Sequence, residues 1–544
     1  MIETNHGFHF RLRRGASIGE LDAESDGDFL SSCFVDTGDF ETLKDCRSPH
    51  RIIVGRTGSG KTALINHLIE NITNVIVVSP ENLSLNYLSN SDILVTLEKA
   101  GVKLDIFYGL LWKHVFAVEL LKRRCHLTNE EKTRSWIAGF IPTLKRKDQA
   151  KERAFNYLST WGDTFWQETE YRVKEVTEKL EGEITSKLGA EIGALKADVS
   201  GGLKRMDERK TEVVNKAQTV INSIQIKALA DVIALMNEEI FTDPQQKYYL
   251  VIDRLDENWV DDDLRYRLIR ALIECVKTFR SIVNVKIIVA LRQDLVQTVF
   301  ARTRDAGFQE EKYAALFLQL RWEKALLIKM LNERIIRLVR EQYTLSPIEL
   351  VDLFPKTIGK EAFVDYLLER THYRPRDAIS FINECLKRSE GKGQVTVQTV
   401  RNAEIEYSTA RMNALSFEWT SHFPDFLEYL PLIEQMPSKF RLSQIHKDRI
   451  NEFAIAKCFD GEHAVDPVIR AGFAFINNDN IHAFRVELIK ALYSIGVVGL
   501  KLASFNSQIW AYMDINAPGD GQIRASSEVF IHPMAWARLG VKPN

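Results

Sequence analysis

The sequence lacks any long hydrophobic run. No stretch reaches about 18 uninterrupted apolar residues, the length that would predict a transmembrane helix. The N-terminal residues MIETNHGFHFRLRRGAS also lack the apolar core of a secretory signal. These absences favour a cytoplasmic protein without a membrane role.

The sequence also has no clustered cysteines and no large excess of positive or negative charge. The six cysteines show no CxxC or CxH spacing, which argues against a zinc site or a disulfide framework. The formal net charge is −2, so no global basic field attracts the chain to nucleic acid, although a local patch would be compatible with this value.

Continuous apolar runs alternate with helical patterns along much of the chain. Uninterrupted runs of this kind are typical of strands buried on both faces of a parallel sheet. Their alternation with helices predicts an α/β sandwich with crossover helices. The runs are RIIV (51–54), NVIVVSP (74–80), YYLVID (248–253), VKIIVALR (285–292) and the shorter LFLQL (316–320).

A glycine-rich loop after the first run fits the phosphate-binding pattern GxxxxGK[ST]. Glycines let the backbone fold tightly so that N–H groups point at phosphate oxygens, and the following helix adds the positive end of its dipole. We expect Lys61 to contact the β- and γ-phosphates and the Thr62 hydroxyl to bind Mg²⁺. The sheet is therefore predicted to be a P-loop NTPase core, with ATP as the default nucleotide because no NKxD motif is present. The loop comprises Gly55, Arg56, Thr57, Gly58, Ser59, Gly60, Lys61 and Thr62.

Carboxylates follow the third run. Asp253 ends this strand, where it is expected to face the P-loop threonine and to hold Mg²⁺. The next residue is Arg254, where many such ATPases carry a glutamate that handles the attacking water. Asp256 and Glu257 follow, and either one could orient the water or accept its proton. The sequence leaves the choice between them open.

Three arginines are candidates for contacts with the nucleotide. Arg292 ends the fourth run and could sense the γ-phosphate, or it could form an ion pair with nearby carboxylates. Arg374 and Arg376 lie in YRPRD, where the proline favours a helix start. Either of them could reach the nucleotide from a helical lid, or lie in solvent.

Four regions are predicted along the chain. They are an N-terminal segment (1–50), an ATPase core (51–320) with a helical insertion at about 82–245, a helical lid (321–415) and a winged-helix-like domain (416–544). The last prediction rests on a hairpin formed by SQIWAYMDI and SSEVFIHP, which follows three helical patterns: FPDFLEYLPLIEQM, LSQIHKDRINEFAIAKCF and HAFRVELIKALYSIG.

Within the insertion, the apolar spacing of 171–209 is close to an 11-residue repeat. The repeat favours either an amphipathic hairpin packed on its own domain or an arm for self-association.

The quoted motifs together resemble the STAND/KAP-like, AAA-related branch of prokaryotic P-loop ATPases. They are GRTGSGKTAL, YYLVIDRLDE, KIIVALRQDL and RPRDAISFINECL, and the resemblance covers roughly 18–80 and 245–390. It implies an ATP-driven switch that assembles into oligomers and acts in antiviral defence or stress response. Membrane-bound relatives carry transmembrane helices in the insertion, whereas the insertion here is polar and amphipathic.

Two functions compete. The first is an ATP-binding and hydrolysing switch that gates homo-oligomerisation or a partner or effector protein. The alternative is a DNA-binding ATPase resembling origin-recognition or repair loaders, which would read DNA with its C-terminal module. Residues 417–544 contain 12 Lys/Arg and 14 Asp/Glu, so charge does not favour nucleic acid as a partner. No acceptor site supports a third class, the small-molecule kinases.

Overall fold

The computed structural model describes nine parts of the chain, which divide into two compact units. The sheet unit comprises Gly38–Arg56 and Lys61–Arg321, and the helical unit comprises Met1–Thr37, Thr57–Gly60 and Trp322–Asn544. The predicted repeat at 171–209 lies outside the described residues. Those residues are 11–80, 104–125, 149–162, 223–257, 259, 262–303, 310–459, 461–513 and 517–542.

A five-stranded parallel sheet forms the centre of the sheet unit and confirms the α/β class. The strand order is β2-β3-β4-β1-β5, so β4 lies between β3 and the strand that leads into the P-loop. Gly55 of β1 pairs with Arg292 of β4, which aligns the carboxyl ends of these strands. The strands are β1 (Ile52–Gly55), β2 (Val75–Val78), β3 (Tyr248–Ile252), β4 (Val285–Arg292) and β5 (Phe317–Gln319).

Helices pack against this sheet, and the strands β1, β3 and β4 are buried. The Trp112 Nε1–H group donates a hydrogen bond of 2.9 Å to the Leu268 carbonyl, which ties an insertion helix to the crossover helix between β3 and β4. The predicted helical character of the insertion is confirmed for its three described helices, Asp105–Arg124, Gln149–Trp161 and Ser223–Leu235. The other helices of the unit are Asp39–Lys44, Lys61–Asn71, Asp262–Phe279 and Gln293–Arg302.

The helical unit begins with residues from the N-terminal segment. Leu12, Ile18 and Val35 are buried in its core, and Asp26 forms a buried ion pair of 2.5 Å with Arg334. A two-stranded hairpin, β6 (Thr357–Ile358) and β7 (Glu361–Ala362), lies among the helices. The helices are Gly27–Ser32, Lys324–Gln342, Leu350–Leu353, Phe363–Glu369, Pro375–Lys387 and Val397–Glu418.

The C-terminal part of this unit combines helices with a small antiparallel sheet of order β8-β10-β9. Two sequence predictions are wrong in detail. The first predicted helix is a 3₁₀ segment, Phe426–Leu432, which contains Pro431. The elements are β8 (Lys439–Arg441), the helices Lys447–Lys457, Pro467–Asn478 and Ile481–Ile495, β9 (Val498–Lys501), β10 (Glu528–Ile531) and the helix Pro533–Leu539.

The second error concerns the hairpin. The first strand of the observed hairpin is β9, which lies before SQIWAYMDI in the chain. The reason is that Gly496 ends the preceding helix in the left-handed conformation (φ 95°), so the chain reverses direction before it reaches SQIWAYMDI. The described residues of SQIWAYMDI, 507–513, contribute an isolated bridge between Ile509 and Leu500. Its Trp510 packs so closely on β9 that a Cβ at Gly499 would lie 2.6 Å from the indole.

Candidate nucleotide site

In the sheet unit, the first helix after the P-loop and the end of β3 bring two oxygen groups together. Thr62 Oγ1 donates a hydrogen bond of 3.1 Å to Asp253 Oδ2. The Arg254 amide donates a bond of 2.8 Å to the other carboxylate oxygen, Oδ1. Burial raises the pKa of Asp253, and these two hydrogen bonds oppose that rise. A hydroxyl beside a carboxylate is a donor set that fits Mg²⁺, which prefers oxygen ligands.

The Lys61 ammonium bends back over its own loop. Its Nζ donates hydrogen bonds to the carbonyls of Gly55 (3.0 Å) and Arg56 (3.1 Å). Burial lowers the pKa of Lys61 to about 8, and the charges of Asp256 and Asp253 oppose this shift. An ammonium that protein carbonyls stabilise only partly is suited to an anionic ligand such as a phosphate.

The chain turns sharply directly after Asp253. Arg254 has φ 62°, a left-handed conformation that costs a non-glycine residue about 1–2 kcal/mol. The turn separates the two candidate carboxylates. Asp256 Oδ2 lies 3.6 Å from Arg292 Nη1, whereas Glu257 Oε1 lies 3.9 Å from Arg254 Nε.

Arg265 fixes this turn from the following helix. It is buried, and its Nη1 donates a hydrogen bond of 3.1 Å to the Glu257 carbonyl. Its Nη2 contacts Asp262 Oδ1 at 2.7 Å. No sequence pattern pointed to Arg265, because an arginine three positions after an aspartate in a helix is typical of an ordinary surface ion pair.

Arg292 lies at the end of β4 and holds two carboxylates. Its Nε and Nη2 form a two-pronged contact with Asp294, at 3.1 and 2.8 Å. Its Nη1 faces Asp256. Of the two roles predicted for Arg292, the structure shows the ion pairs with nearby carboxylates. A contact of Arg292 with a γ-phosphate stays a prediction.

The other part of the P-loop, Thr57–Gly60, belongs to the helical unit. Three successive loop carbonyls accept hydrogen bonds there. Arg374 Nη1 donates to Thr57 O (3.2 Å), the Arg376 amide to Gly58 O (3.4 Å), and Trp322 Nε1 to Ser59 O (2.8 Å). Trp322 was missed because no local pattern distinguishes it from a core tryptophan.

Gly58 is required at its position for two reasons. Its φ is 77°, and a Cβ there would lie 2.8 Å from Arg376 Cβ. The Arg376 guanidinium itself points elsewhere, since its Nε donates to the Leu21 carbonyl at 2.8 Å. The predicted nucleotide contact of the Arg376 side chain is untested.

Arg374 is buried beside the loop with unused donors. Its Nη1 lies 3.7 Å from Glu418 Oε2, while its Nε and Nη2 make no hydrogen bond within the described part of the chain. Thr57 Oγ1 and Ser59 Oγ are likewise buried without a hydrogen bond there. Burial lowers the pKa of Arg374. These unsatisfied polar atoms fit an anionic ligand at the loop.

The residues that the structure describes contain no group of three or more His, Cys, Asp or Glu that could hold a metal ion. Among the helices within the ranges given above, none is long and apolar enough to cross a membrane.

The chain has two distant similarities to known proteins. Residues 325–416 match a family described as the FunZ-associated C-terminal helical domain. Over an alignment of 551 positions, the chain is 22% identical to a protein of Escherichia coli (strain K12) named the putative transposon gamma-delta 80.3 kDa protein. That alignment covers 97% of this chain and 67% of the transposon protein. The chain is thus distantly related to this putative transposon protein, and its parallel sheet is consistent with a P-loop-like core.

Proposed function

We propose that the protein is a Mg²⁺-dependent ATPase that acts as a molecular switch. The observation that carries this proposal is the contact between Thr62 and Asp253 at the edge of a parallel sheet. Lys61 and the loop amides would bind the phosphates, and Thr62 and Asp253 would hold Mg²⁺. The bound nucleotide supplies the phosphoanhydride bond that water cleaves.

Asp256 is the better candidate for the carboxylate that handles this water. Its charge acts on the pKa values of both Lys61 and Asp253, and its carboxylate faces Arg292. It therefore lies within electrostatic reach of the phosphate-binding lysine and the metal-binding carboxylate. A general base must be close to the water that it activates.

The hydrogen bonds in the helical unit support a switch rather than simple hydrolysis. Trp322, Arg374 and Arg376 hold three adjacent carbonyls of the phosphate-binding loop. A change in loop conformation on nucleotide binding would therefore change the helical unit's contacts. This coupling could gate homo-oligomerisation or the binding of an effector protein, as in prokaryotic antiviral defence or stress-response switches.

The test is the mass of the intact protein in solution with and without Mg²⁺ and a non-hydrolysable ATP analogue. We expect the analogue to change the mass of the wild type and of the control Lys227→Ala, an exposed lysine. Lys61→Ala should bind no analogue and keep the nucleotide-free mass. A wild type that binds no analogue would refute the nucleotide site, and one that binds it without a change in mass or in partner binding would refute the switch.

The similarity to a putative transposon protein favours a second candidate, the DNA-binding ATPase. In the helix Ile481–Ile495 of the C-terminal module, two basic side chains that could contact DNA phosphates are already engaged within the protein. Its Arg485 is engaged with the Ile445 carbonyl at 3.1 Å, and its Lys490 with Glu487 at 2.9 Å. Titration of the intact chain with duplex DNA at increasing salt tests this candidate, because phosphate contacts would give a steep loss of affinity. No binding at low salt would eliminate it.

A further inference from the structure

A cluster of aromatic rings lies in the helical unit, at the turn that precedes Arg374. Tyr512 stacks on His372 (centroids 5.6 Å apart, planes at 26°) and on Tyr373 (6.4 Å, 30°). His532 packs edge-on against His372 at 4.1 Å. Trp510 also stacks on Tyr512, with ring centroids 5.7 Å apart. We call these five residues the aromatic clamp.

The clamp holds a strained backbone. His372 and Tyr373 have φ values of 48° and 53°, so two consecutive non-glycine residues are left-handed. Such residues persist only where surrounding contacts determine them, at a cost of about 1–3 kcal/mol each. Here the His372 ring is hydrogen-bonded through Nε2 to the Gly496 carbonyl at 3.1 Å, and the rings of the clamp confine both side chains.

The strained turn leads directly to the residues that hold the phosphate-binding loop. Arg374 follows Tyr373 and donates to Thr57 O, and the Arg376 amide donates to Gly58 O. Because Gly58 leaves no room for a side chain against Arg376, a shift of this turn would displace the loop as well.

From this chain of contacts we infer that Tyr512 and Tyr373 are positioning residues for the phosphate-binding loop. The two tyrosines hold the turn at 372–373, and this turn keeps Arg374 hydrogen-bonded to the loop carbonyl of Thr57. In this conformation of the loop, its backbone amides stay available for phosphate. The inference rests on the proposed nucleotide site. It adds that the C-terminal module sets the affinity of that site.

Tyr512→Ala removes the central ring of the clamp. Tyr373→Ala removes one of the rings that stack on Tyr512. We expect both variants to bind the ATP analogue at least about fivefold more weakly, the lower end of couplings between protein sites. In the absence of nucleotide, hydrogen exchange should become faster in peptides covering 55–62 and 371–378. Tyr512→Phe keeps the ring and should behave as the wild type. Phe505→Ala is the matched control, since Phe505 is 89% exposed and lies outside the clamp.

The inference would be overturned if both alanine variants showed the same hydrogen-exchange rates and the same affinity for the ATP analogue as the wild type. A Tyr512→Phe variant that behaves like Tyr512→Ala would also overturn it, because ring stacking would then not be the cause. Thermal melting verifies that each variant is folded, and the two alanine changes remove different rings of the clamp. If the wild type binds no nucleotide, the proposed function fails, while the exchange experiment still decides whether the clamp controls the loop.

Discussion

Thr62 Oγ1 donates a hydrogen bond of 3.1 Å to Asp253 Oδ2, although the two residues are 191 positions apart in the chain. The contact exists because the P-loop helix starts, and β3 ends, at the same edge of the parallel sheet. In the proposed function, this hydroxyl and this carboxylate would hold the Mg²⁺ of a bound nucleotide. The predictions below concern that site and the residues that support it.

Asp256→Asn should slow ATP hydrolysis more than Glu257→Gln does. Removing a general base typically costs about 10²–10⁴-fold, and Asp256 is the carboxylate that faces Arg292 and influences Lys61. Single-turnover phosphate release with saturating ATP measures this directly. A larger defect in Glu257→Gln would assign the water to Glu257 instead.

The affinity for ATP should fall above about pH 8. Burial lowers the pKa of Lys61 to about 8, and phosphates bind the protonated form. Below pH 8 the ammonium is already present in the free protein. Above it, binding must take up a proton, so affinity falls by up to about tenfold per pH unit. Lys61→Arg stays charged and should show no such fall. Identical pH profiles of the two proteins, measured by analogue titration, would show that Lys61 is not the titrating group.

Gly58→Ala should harm the protein more than Gly15→Ala. Both glycines have φ 77°, but nothing lies within 4 Å of a Cβ at Gly15, whereas a Cβ at Gly58 meets Arg376 at 2.8 Å. The left-handed backbone alone should cost about 1 kcal/mol at either position. Overpacking should add about 1–3 kcal/mol at Gly58 and weaken nucleotide binding there. Urea unfolding and analogue titration provide the comparison, and equal effects of the two substitutions would show that the close contact is absent in solution.

The stability of the sheet unit should rise between pH 7 and about pH 10. Lys286 is buried, and its Nζ donates bonds of 2.8 Å to the carbonyls of Thr42 and Asp45. Burial lowers its pKa to about 7, while an unfolded lysine titrates near 10.4. In this window the unfolded chain binds more protons, so the free energy of unfolding rises with pH, by up to about 1.4 kcal/mol per unit. Below pH 7 both states are protonated and Lys286 contributes no slope.

Lys286→Met is the comparison that isolates this effect. Its urea midpoint should depend less on pH than that of the wild type between pH 7 and 10. The same slope in both proteins would mean that Lys286 is not titrating in this range.

Local patterns were sufficient to predict the strands and the phosphate-binding motif. VKIIVALR became β4 with the same bounds, and YYLVID became β3 with Asp253 directly after it. Continuous burial on both faces leaves a clear signal in a single sequence. The meeting of Thr62 and Asp253 followed from parallel topology, since the carboxyl ends of the strands share one edge.

Contacts between distant segments left no such signal. Trp322 and Arg265 act through hydrogen bonds to backbone carbonyls, which any residue type presents. The first hairpin strand was misplaced because SQIWAYMDI alternates like a strand, and the early reversal at Gly496 became visible only in three dimensions. The helix Pro467–Asn478 was missed despite its aspartate cap at Asp466 and its proline at the first position.

The most direct test of the account is phosphate release from ATP by the wild type, Thr62→Ser and Thr62→Ala in the presence of Mg²⁺. Thr62→Ser keeps the hydroxyl that faces Asp253, so it should retain hydrolysis within a few fold. Thr62→Ala should lose about 100-fold or more, the typical effect of removing a group that stabilises transition-state charge. No phosphate release by the wild type, or equal rates for Thr62→Ala and the wild type, would contradict the proposal that this site hydrolyses ATP.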